Sequence, residues 1–389
     1  MEAKIQKSVL LNALQTAILI VPKKPERPVF GHIAIHRIGQ QNAMTLEAND
    51  GKRILSLQMD CDEYDQWNAD TGICLPAAEL LAFVEVARGD SVNISVNLVK
   101  MSVVIHSGRA RAQLHALSLD GFPVFAPGSG ERAMESVRVP SESLRKALAF
   151  TLTCVGDTQI PQANLASVFM EVGKGQLLMA AANGTSMTHA SVAAPDLFSE
   201  ASINVAIASE SAKFLVKLSK DLPESSEVSI DASANIIRAT FPGGFFQTQV
   251  VDTPFLPWRL VLPDPADLPE QVNVTCSEMT FALQESMSVA EKGKAPVTIE
   301  TVDGGLRCIC AGSTGQAEGI AEAKSTGDIA TVVSGVALEE IVNAFRSIGD
   351  DSLSMRFKGC DARTQGKVLI NGNGKHPNNP VAVTSSLNN

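Results

Sequence analysis

An internal repeat constrains this chain more than any other feature. A helix end, a polar turn and two strands recur at intervals of one third of the 389 residues. The first copy runs from Ala87 through Val96, followed by Ser102 to His106 and Arg111 to Leu117. The second runs from Leu222 to Ile230, followed by Ile236 to Phe241 and Phe245 to Val251. The third runs from Ser347 to Phe357, followed by Lys367 to Ile370 and Val381 to Thr384. An earlier pattern of strand, turn, strand, short turn and strand is also threefold: His32 to Met59, Ala166 to Val192 and Pro296 to Ala323. Its inner turns, Ala48-Asn-Asp-Gly51, Ala182-Asn-Gly184 and Ala311-Gly-Ser313, hold the small and Asn/Asp/Gly residues that positive-φ turns require.

One amphipathic helix is predicted before each pattern: Lys4 to Val21, Pro76 to Arg88, Ser141 to Cys154, Ser209 to Lys220, Ser277 to Glu291 and Ala337 to Ile348. Ser141 and Ser209 are candidate N-caps, and Leu80, Leu81, Val84 and Ala87 form an apolar stripe. The fold class is therefore α+β: six helix-plus-strands units paired into three similar domains, 1–127, 128–258 and 259–389. The boundaries fall at Pro/Gly-rich Pro123 to Gly130 and at Pro254 to Pro269.

Charge bears on function through its placement. With 32 basic and 42 acidic side chains the net charge is −10, which on average repels nucleic acid. The cations, however, gather on or beside the predicted helices: Lys4 and Lys7, Arg88, Arg145 and Lys146, Lys213, Lys217 and Lys220, Lys292 and Lys294, and Arg346. Lys213, Lys217 and Lys220 stand at i, i+4, i+7, a single stripe. Acidic residues concentrate in segments read as loops, such as Asp60 to Asp65. A solvated helix face explains any one of these stripes, but six equivalent helices lining one surface would form a basic track for phosphates. One Tyr and two Trp are too few for stacking platforms, so duplex backbone contact without base readout is expected.

Catalytic, cofactor and metal signatures do not emerge. The histidines lack an HExxH pattern, and the glycines lack phosphate-loop context. Ser186 lacks the second glycine of a nucleophile elbow, and Asp60, Asp62 and Asp65 fit a calcium loop poorly. The seven scattered cysteines read as small core residues. The longest early apolar stretch, Ala13 to Val21, is too short to span a bilayer, so a soluble, intracellular protein is expected, without catalysis or cofactors.

Three groups of segments, in register with the repeat, carry a resemblance. They are Val104 to Leu114 running to Asp120-Gly-Phe-Pro123, Met179 to Gly184, and Asn235 to Ala239 running through Val251-Asp252, Phe255 to Arg259 and Val261-Leu-Pro263. Over essentially its full length the chain resembles the bacterial DNA polymerase III beta subunit, the sliding clamp, as a divergent member. That resemblance implies three tandem clamp domains, two copies joined head to tail into a ring, helices lining the hole and sheets outside. It implies duplex DNA, a polymerase catalytic subunit, a clamp loader, other proteins with clamp-binding motifs and a second copy of the chain as partners. A clamp-fold adaptor or decoy that binds those partners without closing on DNA is the alternative.

By motif position the resemblance assigns a partner-peptide pocket to Leu165, Ala182, Gly184, Met187, Leu256, Leu260, Val261, Val383 and Leu387. It assigns a DNA-contacting loop to Lys23 and Lys24, and dimer contacts to Ala112, Leu114, Met287 and Ser288. The chain departs from the family at Asn183-Gly-Thr-Ser186, at Leu256 and Leu260, where Pro and Arg are common, and at its polar terminus Thr384 to Asn389. The pocket is accordingly expected to be less charged. Val383 and Leu387 have no obvious core to join in that polar tail.

Overall fold

The computed structural model describes residues 1–37, 43–65, 72–123, 135–157, 164–194, 201–291, 295–357, 367–373 and 380–385. Among them one module appears six times: a strand, a helix, then three strands. The first copy is β1 (Glu2–Gln6), α1 (Lys7–Ala17), β2 (His32–His36), β3 (Ala43–Asn49) and β4 (Arg53–Asp60), followed by a short β5 (Glu63–Asp65). The second is β6 (Gly72–Pro76), α2 (Ala77–Val86), β7 (Ser91–Asn97), β8 (Ser102–Ser107) and β9 (Ala110–His115), followed by β10 (Leu117–Ser118). The third is β11 (Glu135–Pro140), α3 (Ser141–Thr151), β12 (Ser167–Gly173), β13 (Gln176–Ala182) and β14 (Ser186–Ala193). Next come β15 (Ser202–Ala208), α4 (Ser209–Asp221), β16 (Glu227–Ala232), β17 (Ile236–Phe241) and β18 (Gly244–Gln249). The fifth is β19 (Glu270–Thr275), α5 (Cys276–Ser286), β20 (Pro296–Val302), β21 (Gly305–Gly312) and β22 (Gly315–Ser325). The last is β23 (Ala330–Ser334), α6 (Gly335–Ile348), β24 (Ser352–Phe357), β25 (Lys367–Gly372) and β26 (Val381–Ser385).

The leading strand of each module is the main difference from the sequence reading. The helix expected over Lys4 to Val21 begins at Lys7, and Lys4 lies in β1, opposite Asn93 of β7 and Glu63 of β5. The acidic Asp60 to Asp65 segment, read as a loop, contains β5 for the same reason: β1 offers it a free edge. Strand and helix join without a spacer, so the serines expected as caps are already helical. Ser141 opens α3, its hydroxyl donating to the Pro223 carbonyl at 3.4 Å, and Ser209 opens α4 with its N–H on Ala166. A loop carbonyl likewise receives the first N–H of α1, α5 and α6: Lys7 on Asp90, Cys276 on Asp351 and Gly335 on Ala295. These bonds satisfy donors that a helix leaves open at its start. Side-chain caps occur at Thr275 before α5 and Ser334 before α6 instead.

The chain forms two compact units, residues 1–134 with 226–249, and residues 135–225 with 250–389. In the first unit, α1 packs on α2, and the sheets run β5-β1-β7-β8-β9 and β10-β6-β2-β3-β4-β18-β17-β16. In the second, α3 packs on both α4 and α6, and α5 packs on α6. Phe150 of α3 meets Phe345 of α6 edge to face, their centroids 4.7 Å apart. One sheet of this unit runs β15-β12-β13-β14-β26-β25-β24-β19-β22-β21-β20-β23.

Two ladders join separate modules in the same way. The last strand of module one, β4, pairs antiparallel with β18, the last of module four; β14, the last of module three, pairs with β26, the last of module six. Among the described residues the last strands of modules two and five, β9 and β22, lack such a partner. Strand β9 closes the edge of its sheet, and residues 315–322 of β22 ladder with β21 alone among the described residues.

Candidate partner-binding site

Asn183 shapes the turn between β13 and β14. Its side-chain oxygen accepts from the N–H groups of Thr185 at 3.1 Å and Ser186 at 2.8 Å, and Gly184 takes φ +96°, which a side chain would resist. This sets Met187 opposite both Ala182 of β13 and Val383 of β26. Around them gather Leu165, Phe169, Ala180, Trp258, Leu268 and Leu369, all buried, with Leu178, Phe255, Leu256, Val261, Leu262 and Val381 packed against them.

Six of the nine pocket residues expected from sequence, Leu165, Ala182, Met187, Leu256, Val261 and Val383, thus meet in one cluster. Gly184 forms the adjoining turn. Leu260 does not join: it is 82% exposed on the helical turn Trp258–Leu260. Leu387 lies outside the described residues. Val383 does have a core to join, because β26 completes the sheet beside β14. Sequence reasoning missed the aromatic floor. Phe255 and Trp258 fall in a Pro-rich stretch read as a domain boundary, where an aromatic pair was itself a sign of packing.

A polar strip borders the cluster. Arg259 pairs with Glu171, a buried carboxylate of β12, and lies over the Trp258 ring, 4.4 Å from its centroid. Lys174 approaches the same carboxylate at 3.8 Å. Lys367 donates to the Val261 carbonyl at 2.8 Å. His189 sits 5.2 Å from Trp258, centroid to centroid, and among the described residues its Nδ1 has no hydrogen-bond partner. Burial, reinforced by the Arg259 charge, pushes the His189 imidazole down to about 4.

Acid should therefore weaken the fold. Below pH 6.5 the unfolded chain protonates His189 while the folded chain does not, so stability falls as pH drops toward 4, and lies intact above 6.5. The full loss is on the order of 3 kcal/mol. Urea unfolding at pH 7 and pH 4.5 checks it: a His189→Leu variant should lose much less stability across that interval than the native chain.

The basic residues divide. Lys213, Lys217 and Lys220 are exposed along α4 while Phe214, Leu215 and Leu218 are buried, as the stripe predicted. Arg88 follows α2, Arg346 stands in the last turn of α6, and Lys23 and Lys24 occupy a loop, all exposed. Arg145 and Lys146 are half-buried on α3, the latter paired with Glu142 at 2.9 Å. Two expectations change. Lys4 is a strand residue paired with Glu63 at 3.4 Å, and the Lys7 ammonium donates to the carbonyls of Ala87 and Glu85 at the end of α2, where open carbonyls attract a cation. Lys292 lies outside the described residues.

Among the expected dimer contacts, Ala112 and Leu114 are half-buried on the inner row of the open strand β9. Met287, half-buried, and Ser288, exposed, form a turn that packs on β21 and β22. Cys74, Cys154 and Cys308 are buried thiols pushed up to about 12, consistent with core filling. Cys360 lies outside the described residues. Among those residues no cluster of His, Cys, Asp or Glu could hold a metal ion, and no helix is long and apolar enough to cross a membrane.

The fold matches solved structures over its whole length. The DNA polymerase III beta subunit of Pseudomonas aeruginosa superposes with a TM-score of 0.87 at 19% identity, covering 100% of both chains. The chain has the sliding-clamp fold. The Bacillus subtilis sliding clamp gives a TM-score of 0.87 at 17% identity, covering 100% of this chain and 99% of that one. A Pseudomonas aeruginosa clamp bound to griselimycin gives 0.87 at 18%, with the same coverage. Residues 1–126 match the family model for the N-terminal domain of the DNA polymerase III beta subunit. Among curated proteins, no sequence matches.

Proposed function

We propose that this chain is a non-catalytic DNA sliding clamp, a homodimeric ring that holds duplex DNA topologically and tethers a polymerase and other partners at the apolar cluster. The observation that carries the reading is the sliding-clamp fold over the entire chain. Three clamp domains, 1–127, 128–258 and 259–389, would each supply two modules. Lys23, Lys24, Arg88, Arg145, Lys146, Lys213, Lys217, Lys220 and Arg346 would meet phosphates, giving contacts that are sequence-neutral and weakened by salt. A clamp loader would open the ring, and the protein would act in the cytoplasm on the nucleoid.

The module ladders support the head-to-tail seam. If β22 pairs with β9 of a second copy, all six modules obey the rule that β4–β18 and β14–β26 follow within one chain. The outward rows are complementary: Arg111 and His115 on β9, Glu318 and Glu322 on β22, all exposed.

Retention on DNA tests the function. After loading by a clamp loader, the protein should remain on nicked circular DNA through gel filtration and be lost once the circle is linearised. Equal retention on both forms would overturn the topological reading. A stable monomer that still binds polymerase peptides would instead favour an adaptor.

A further inference from the structure

Five leading strands pair on one side with the module next to their own: β1 with β7, β6 with β2, β15 with β12, β19 with β24 and β23 with β20. Four of them have the other edge covered, each time by the chain leaving the last strand of the same module. Strand β5 follows β4 and lies on β1, and β10 follows β9 and lies on β6. Val250 follows β18 and bridges Ile207 of β15, while residues 323–325 end β22 and lie on β19. Strand β23 is the exception. Among the described residues its second edge is open, and residues 386–389, which follow β26, lie outside them.

Modules two and six share their register at this point. Lys367 faces Ser385 as Ser102 faces His115, and Thr298 faces Val332 as Ala34 faces Cys74. Two residues past His115, Leu117 faces Cys74, and Ser118 then faces Ile73. Two residues past Ser385 stands Leu387, an apolar side chain between Ser386 and Asn388. We propose that residues 386–389 form a terminal strap that closes the β23 edge, with Leu387 opposite Val332 and Asn388 opposite Thr331. The strap takes up backbone groups of β23 that the sheet leaves unpaired. It also shields a strand, Ala330–Ser334, that has no charged residue or proline to discourage pairing with other chains. Leu387 thereby joins β23 rather than the apolar cluster, and the strap holds whatever the chain binds.

Paired cysteines in the full-length protein test the register. Facing residues of an antiparallel pair stand close enough for a disulfide, whereas the next residue along points to the opposite face. Val332→Cys with Leu387→Cys should therefore cross-link within one molecule under mild oxidation. Thr331→Cys with Leu387→Cys should cross-link about tenfold less, with peptide mapping to identify the bond. A bond from Leu387→Cys to Met187→Cys in place of the Val332 pair would overturn the strap and put Leu387 at the apolar cluster. A bond formed only between two molecules would overturn it in favour of a second copy on the edge. A chain shortened to end at Ser385 gives a separate readout: hydrogen exchange in β23 should quicken about tenfold while α6 is unchanged. Exchange that ignores the truncation would sink the proposal. Should the Val332 variant fail to fold, the exchange comparison decides alone.

Discussion

Arg111→Glu is expected to convert the proposed dimer into monomers at micromolar concentration. Arg111 is exposed on β9, the open edge of the first unit's sheet, and the row it would meet on β22 contains Glu318 and Glu322. The native pairing sets opposite charges across a new antiparallel ladder; the variant sets three carboxylates together, and such like-charge contacts cost several kcal/mol across an interface. An open strand edge is itself a template for pairing, which is why β9 and β22 are the places to disturb. Within one protomer Arg111 should matter little, since surface substitutions away from packing and caps usually stay within about 0.5 kcal/mol. Sedimentation velocity separates the outcomes. A monomer that unfolds at the native urea midpoint supports the seam, and Glu318→Arg in the same chain should restore the dimer. An unchanged dimer would place the interface elsewhere.

The six helices were legible because each buries a stripe against a sheet, as Phe214, Leu215 and Leu218 do beneath the α4 lysines. The strands that lead into those helices were not. Glu135–Pro140 alternates Val137 and Val139 inward, but it is short and runs straight into helical periodicity, so the longer signal absorbs it. Lys4 was placed on the helix for this reason. Moving from helix to strand changes which neighbours a lysine can reach, and for Lys4 that neighbour is Glu63.

The pocket was half legible. Ala182, Met187 and Val383 stand on strands whose register follows from the Asn183 turn, and they do come together. Trp258, Phe169 and Leu268 come together only through tertiary packing, and a Pro-rich stretch gave no periodicity to announce it. Charge showed the same limit. The charged neighbours of the cluster, Arg259 beside Leu260 and Lys367 on β25, were not named from sequence.

Two leucine-sized substitutions at this site should part company, and their divergence identifies the binding surface. Met187 is 1% exposed at the centre of the cluster, so Met187→Ala should cost about 2–5 kcal/mol of stability through lost burial and the cavity left behind. Peptide affinity should fall with it, because the wall formed with Ala182 and Val383 loses its middle. Leu260 is 82% exposed beside half-buried Leu256 and Val261, an arrangement that leaves apolar surface open to solvent in the free protein. Leu260→Ala should therefore leave the urea midpoint nearly unmoved. If a bound peptide covers Leu260, the variant forfeits burial of a leucine side chain worth about 1.5–3 kcal/mol, a tenfold or greater loss of affinity for polymerase-derived peptides. Hot-spot energetics favours this result, since a few apolar anchors dominate such contacts. Calorimetric titration of both variants alongside their unfolding curves gives the answer. Affinity lost at Leu260 without loss of stability marks the rim as contact surface. Affinity unchanged at Leu260 but lost at Met187 would confine recognition to the buried floor, and unchanged affinity in both would move the site away from this cluster.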